Sequence, residues 1–263
     1  MPDTAFSHLT WHEARAAAQE NRLVIVPAGA TEAHGPHLPL DVDTHLATTV
    51  AESLAARVGA LVTPALPYGY SRMWMGFPGT ITLTTRTFQT VLEEVCRCLI
   101  EQGFHRLLIL NGHRPNGTAC DVAARSVVDQ YSQDVPVQVT VVNYWEPARE
   151  ELHALRRSAV GGMGHACELE TSVCLATRPE LVWMDRLEGV EALLIRWDAV
   201  APGEPSRTYQ RWPTAAEGHP AIFGDPHAAT AESGAAFLGA IVDGLARMLR
   251  DIDEGGGTYS ARG

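Results

Sequence analysis

The stretch Leu23-Val24-Ile25-Val26-Pro27-Ala28-Gly29-Ala30-Thr31-Glu32-Ala33-His34-Gly35-Pro36-His37-Leu38-Pro39-Leu40-Asp41-Val42-Asp43 changes character twice. Its opening, residues 23–27, is a short apolar run, the pattern of a buried strand. A loop dense in Gly and Pro follows, carrying acids and histidines. Beyond it Leu46, Val50, Leu54 and Val58 recur at every fourth position, which predicts a helix with Gly59 as its C-terminal stop. The same alternation continues. Residues 61–64, 106–110 and 135–142 read as further strands. Phe88, Leu92, Val95 and Leu99 mark a second helix, with Thr84 or Thr85 as N-cap and Gly103 as stop, and a third helix spans about residues 117–131. The order β-α-β-α implies an α/β fold with a mostly parallel sheet covered by helices on both faces. In such sheets, sites gather beyond the carboxyl ends of the strands.

The length of 263 residues suits one domain, expected over 1–263. With 46% apolar and 19% charged residues, a sizeable core is expected. Twenty Lys and Arg against thirty-one Asp and Glu give a net charge of −11. Basic residues occur only singly or in doublets such as Arg156-Arg157, so nucleic acid and anionic membrane are excluded as main partners. No apolar run approaches the roughly twenty residues of a membrane span. The first residues lack the basic and apolar stretches of a signal peptide. The five cysteines form no Cys-x-x-Cys pair and read as reduced thiols, so a soluble, cytoplasmic protein is expected. Residues 185–226, rich in Pro, Gly and Trp, show no sustained period and suggest an irregular wrap or insertion. A last helix, about 230–250, carries Phe237, Ile241, Leu245 and Met248, and a tail from about 254 should fray.

Chemistry-bearing residues cluster just after the expected strands. Glu32 and His34, two apart in an extended chain, project to one side, and Asp43 falls where the first helix begins. Singly they read as a solvated acid, a turn histidine and an N-cap. Together, directly after a buried strand, they form a metal-site signal whose carboxylates and imidazole suit zinc, manganese or iron. His113, in Asn111-Gly112-His113-Arg114-Pro115-Asn116-Gly117, is a further ligand candidate at a strand end. In Gly161-Gly162-Met163-Gly164-His165-Ala166-Cys167-Glu168-Leu169-Glu170-Thr171-Ser172, His165 and Glu168 would share a helix face. His165 and Glu170 would lie about 140° apart on a continuous helix. If His165 precedes the helix, Glu170 can still point inward, so spacing leaves both acids open. The glycines resemble a phosphate loop only weakly, since no Lys follows.

Other features carry less. His12-Glu13 lacks the second His of a zincin, and Cys96 and Cys98 read as core and rim of one helix. His219 and His227 lie in the irregular region. Trp74, Trp145, Trp197 and Trp212 could line a pocket, though a buried structural Trp is the commoner case.

At these segments the chain resembles the creatininase family, the creatinine amidohydrolases. The resemblance rests on the block from Gly29 through Pro39 to Asp43, on Phe77-Pro78-Gly79-Thr80-Ile81, on Asn111-Gly112-His113, and on His165-Ala166 through Glu170-Thr171-Ser172. Gly224-Asp225-Pro226, Ala229-Thr230, Glu232 and Gly234 extend it, so that it spans about residues 20–240. It implies a three-layer α/β/α domain with two divalent ions (Zn, Mn or Fe) per chain, commonly in a homohexamer built as a trimer of dimers. By that pattern Glu32 and His113 hold one metal, His34 and Glu170 the other, Asp43 bridges them, and His165 is catalytic. The implied reaction is hydrolysis of a small amide or formamide by hydroxide generated on the metals.

The chain departs from creatininase itself at Pro115, where that enzyme carries a Glu that assists proton transfer. It also has no Trp in residues 160–164, shortly before His165. Creatinine is therefore not the expected substrate. Arg114, Asn116 and Trp145 are the expected substrate contacts, with Arg114 hinting at an anionic or carbonyl-bearing small molecule. Hydrolytic ring opening of a cyclic ketone, or a non-catalytic scaffold subunit, are the alternatives. Retention of all five ligands with His165 argues against the scaffold.

Overall fold

The structure, a computed structural model, describes residues 4–195, 198–200 and 215–255. Four parallel strands form the central sheet: β1 (Val24–Ala28), β2 (Leu61–Val62), β3 (Arg106–Asn111) and β4 (Gln138–Asn143), in the order β2-β1-β3-β4. The helices are α1 (Trp11–Gln19), α2 (Val42–Val58), α3 (Thr85–Glu101), α4 (Gly117–Tyr131), α5 (Arg149–Leu155), α6 (Glu168–Thr177) and α7 (Ala231–Asp253). A second, two-stranded antiparallel sheet pairs β5 (Met163–His165) with β6 (Phe223–Gly224).

The alternation of side chains along β1 makes three layers. Val24, Val26 and Ala28 point with Leu107 and Ile109 into an apolar layer shared with Ala17, Phe88, Leu92 and Val127. Ile25, with Leu108 and Leu110, faces the opposite layer, filled by Leu46, Val50 and Leu54 of α2, Val173 of α6 and Phe237, Ile241 and Leu245 of α7. Both faces of the sheet are covered, as a parallel sheet requires. The arrangement is the three-layer α/β/α fold expected from the alternation.

Boundaries moved where local chemistry intervened. Strand β2 stops at Val62 instead of running to residue 64, just ahead of Pro64, which has no N–H for the ladder. Strand β4 starts at Gln138, past Pro136, instead of at 135. Helix α3 is capped by Thr84, whose hydroxyl accepts from the Thr87 N–H at 3.1 Å, and α2 ends on Gly59 at φ +72°. Helices α1 and α5 add to the expected elements, and the start of α1 is marked in the sequence by Thr10-x-x-Glu13. Glu13 lies in a capping box with Thr10. All five cysteines are free, Cys96 buried and Cys98 exposed. Within 185–226, β6 is an unexpected strand, and it matters because it pairs with the strand that carries His165. Trp197, Trp212 and most of the expected frayed tail lie outside the described residues.

Strand register places the site. Ala28, Asn111 and Asn143 are matched across the sheet, so β1, β3 and β4 end level with one another. Helix α2 is brought hard against these ends. A side chain at Gly29 would strike the backbone of Thr44 at 2.4 Å, and one at Gly112 the Asp43 carbonyl at 2.5 Å. Only glycine permits that approach.

Candidate metal centre

The ends of β1 and β3, the first turn of α2 and the start of α6 converge on one buried cluster. Glu32 and His34 are fully buried in the loop after β1. That loop is held by Phe77-Pro78-Gly79-Thr80-Ile81: the Thr80 hydroxyl accepts from Ala33 N–H, and Ile81 N–H donates to the Thr31 carbonyl at 2.9 Å. Asp43 lies in the first turn of α2, not at its cap, where the exposed helix N–H groups favour an anion. His113 follows β3 after Gly112, and Glu170 sits in the first turn of α6.

The contacts are close. His34 Nε2 lies 3.3 Å from Asp43 Oδ1 and 4.0 Å from Glu170 Oε2. His113 Nδ1 is 2.9 Å from Asp43 Oδ2, and its Nε2 is 3.4 Å from Glu32 Oε2. His165 Nδ1 is 3.5 Å from Glu32 Oε1. Three triads each bring one ligand atom per residue within 4.8 Å of the others: Glu32–Asp43–His113, His34–Asp43–Glu170 and Glu32–His34–His165. Asp43 belongs to two of them.

Each histidine is anchored through its other nitrogen. His34 Nδ1 meets the Glu32 carbonyl at 3.1 Å, His113 Nε2 the Tyr70 carbonyl at 2.9 Å, and His165 Nε2 the Ala33 carbonyl at 2.8 Å. A carbonyl oxygen only accepts, so each of these nitrogens carries its proton and the opposite one is turned to the carboxylates. Asn116 supports this from behind: its carbonyl accepts from Tyr70 N–H and its amide donates to the Gly29 carbonyl. Both ends of that side chain are therefore used by backbone. Trp145 is buried edge-to-face on Tyr144, and Arg114 is exposed on the turn Arg114–Asn116.

Packing shows which of the two acids of α6 faces the cluster, a choice that spacing left open. Glu168 is fully buried, but its carboxylate accepts from the backbone N–H groups of Arg157 and Ser158 at 2.7 and 2.8 Å. It fastens the loop after α5. Glu170 faces the cluster, because Ala166 at φ +49° turns the chain between His165 and the helix. Of the weaker candidates, His227 is exposed and bonded to the Val190 carbonyl, whereas His219 lies against Trp74 and Phe223. Trp74, one of the tryptophans that could line a pocket, lies against the cluster. Its indole stacks on the His165 imidazole, centroids 4.2 Å apart at 16°.

Burial sets the electrostatics. It pushes the Glu32 and Glu170 carboxyls up to about 7, against the pull of His113 on Glu32 and of His34 on Glu170. Burial alone would depress His34 and His113, but Asp43 beside His34 holds it up to about 10, and Glu32 with Asp43 holds His113 up to about 9. Asp43, despite its burial, is kept well below the carboxylate range by His34 and His113. His165 is held well below the ordinary imidazole range by burial and by His34, and is neutral. Among the described residues, both Glu32 oxygens, His34 Nε2 and Asp43 Oδ2 are buried without a hydrogen-bond partner. Such orphaned atoms are costly unless something binds between them. Hard carboxylate oxygens mixed with imidazole nitrogens fit divalent cations.

The profile of the creatininase family, described as creatinine amidohydrolase, matches residues 7–249. The chain belongs to the creatininase family. Creatinine amidohydrolase of Pseudomonas putida is 34% identical over 92% of this chain and 95% of its own length. The mycofactocin precursor peptide peptidase of Mycobacterium ulcerans is 32% identical, with 84% and 81% covered. The 3-dehydro-scyllo-inosose hydrolase of Thermotoga maritima is 27% identical, with 95% and 83% covered. Among solved structures, creatininase superposes with a TM-score of 0.81 at 27% identity, covering 95% of this chain and 97% of the other. Creatininase forms described as Zn–Zn and as Mn superpose at TM-scores of 0.78 and 0.79, each 28% identical and covering 95% and 98%. As a member of the creatininase family, the protein is a metal-dependent hydrolase acting on carbon–nitrogen bonds.

Proposed function

We propose that this creatininase-family hydrolase is binuclear and cleaves a small, non-peptide amide or formamide. The observation that carries the reading is the pair of triads sharing Asp43, with their orphaned atoms converging in a buried space. Glu32, Asp43 and His113 would hold one divalent ion, and His34, Asp43 and Glu170 the other. When bound, such cations would supply a water acidified from about 15.7 toward 7 and Lewis acidity toward an amide carbonyl.

The chain's own residues handle binding and protons. His165 has one open nitrogen, Nδ1, because Nε2 is fixed on the Ala33 carbonyl. Neutral at pH 7, it accepts a proton at Nδ1 and returns it to the departing nitrogen. The backbone carbonyls of residues 32, 33 and 70 keep all three imidazoles in one tautomer, so nothing must reorganise during turnover. Creatinine is disfavoured by Pro115, half-buried in the turn after His113, which can neither accept nor donate a proton. Relatives named for creatinine, for a precursor peptide and for an inosose leave the substrate open within the family.

Elemental analysis of protein purified without chelator should give about two divalent ions per chain, from the two triads. A reproducible value below about one overturns the binuclear reading. The metal-loaded protein should turn over a member of a panel of small amides and formamides while leaving creatinine essentially untouched. Efficient creatinine hydrolysis would overturn the substrate assignment. His165→Ala should keep both ions while losing roughly 10²–10⁴-fold in rate. Loss of metal in that variant would make His165 a ligand, as the third triad allows.

A further inference from the structure

Among the described residues His165 makes one hydrogen bond, from Nε2 to the Ala33 carbonyl. A single bond fixes one atom of the ring and leaves its plane free to rock about χ2. What blocks that motion is aromatic. The imidazole lies 4.2 Å from the His34 ring at 37° and 4.2 Å from the Trp74 indole at 16°, the latter a nearly parallel stack. Trp74 is itself only 4% exposed. Its indole is braced by Phe77 and Phe223, each 5.7 Å away, and by His219 at 6.4 Å. Phe223 lies on β6, opposite His165 in the small antiparallel sheet, so brace and imidazole are tied together through backbone.

We propose that Trp74 is a positioning residue for His165: its flat ring keeps the imidazole plane oriented so that Nδ1 faces Glu32 and the ligand cluster. The proposal rests on the reading of His165 as the catalytic proton carrier. It gives the Trp a task that simple core filling does not, since an aliphatic side chain of similar bulk fills space but offers no plane to stack on. The other rings of the group touch Trp74 edge-on or tilted, which braces the indole without competing for the imidazole face.

The test compares side chains that keep the ring with ones that keep only the bulk. Nitrogen-15 NMR of histidine-labelled protein, loaded with diamagnetic zinc alone, reads the tautomer and ring motion of His165, with its signals assigned by His165→Ala. The native protein should show one sharp Nε2–H tautomer. Trp74→Phe should preserve it. Trp74→Leu should broaden or average the two nitrogen signals while zinc content stays at the native value, and where an assay substrate is in hand it should lower kcat by roughly 10–10²-fold, the penalty of a misplaced catalytic group. Should Trp74→Leu fail to fold, Trp74→Met carries the same comparison. Unchanged His165 signals in a folded Leu or Met variant, or equal disturbance in Trp74→Phe, would overturn the proposal. A His165 Nδ1 resonance that shifts on zinc binding as a ligand's does would instead sink the catalytic reading of His165, whatever the Trp74 variants show.

Discussion

The two ends of the central sheet carry charge in opposite ways. At the amino end, Arg57 pairs with Asp243, Arg106 with Asp253, and Arg22 donates to the Gly59 carbonyl, all near solvent. The side chains of Arg57 and Asp243 are 51% and 56% exposed. At the carboxyl end, three carboxylates and three imidazoles lie together almost without solvent. Water screens the first set, so each pair is worth little and is easily lost. Nothing screens the second, and burial drives two carboxyls to about 7. A cluster that costs this much in desolvation is a place built for cations, whereas the ion pairs at the far end are ordinary surface.

The sharpest way to break that contrast is Asp43→Ala. Removing the acid shared by two triads should leave the metal content below about one ion per chain and abolish measurable turnover, as elemental analysis and assay would show. Retention of two ions would show that Asp43 is not shared. Glu168→Ala, two residues from Glu170, should do the reverse. It strips two backbone N–H groups of their buried acceptor, at a cost of about 2–4 kcal/mol in denaturant unfolding, and leaves metal stoichiometry intact. Metal loss there would return the α6 acid to doubt.

Protonation gives a third arm. In metal-free protein, His34 near 10 and His113 near 9 hold protons at pH 7, and Glu32 and Glu170 near 7 hold part of theirs. Ligands must shed those protons, so zinc binding should release protons at pH 7 and tighten as pH rises toward about 10. Calorimetry in buffers of different ionisation enthalpy measures this, and zero net release would break it. All four groups bind protons more tightly folded than unfolded, so their contribution to metal-free stability falls as pH rises. It declines from about pH 4.5 through 7 for the acids, and from about 6.5 through 10 for the histidines. The smallest effect belongs to the far end: Arg57→Ala should shift stability by no more than about 1 kcal/mol, with metal content unchanged.

The sequence by itself determined the layers and most of the residues that gather in the buried cluster. The unbroken apolar run of β1, the recurrence at every fourth position in α2 and the Gly59 stop are local properties, and local chemistry wrote them plainly. Glu32, His34, Asp43 and His113 were legible because strand ends in a parallel sheet gather loops at one edge. Spacing left Glu168 and Glu170 open and the resemblance pointed to Glu170, but only the tertiary structure shows the physical reason: a left-handed residue at Ala166 turns Glu170 to the cluster, and the backbone N–H groups of residues 157 and 158 occupy Glu168. The tertiary structure alone brought Trp74 flat onto His165 and laid β6 beside β5. Those contacts join segments distant along the chain, and no periodicity within either segment records the meeting. Spacing encodes what a segment does to itself; what two segments do to each other is set by packing.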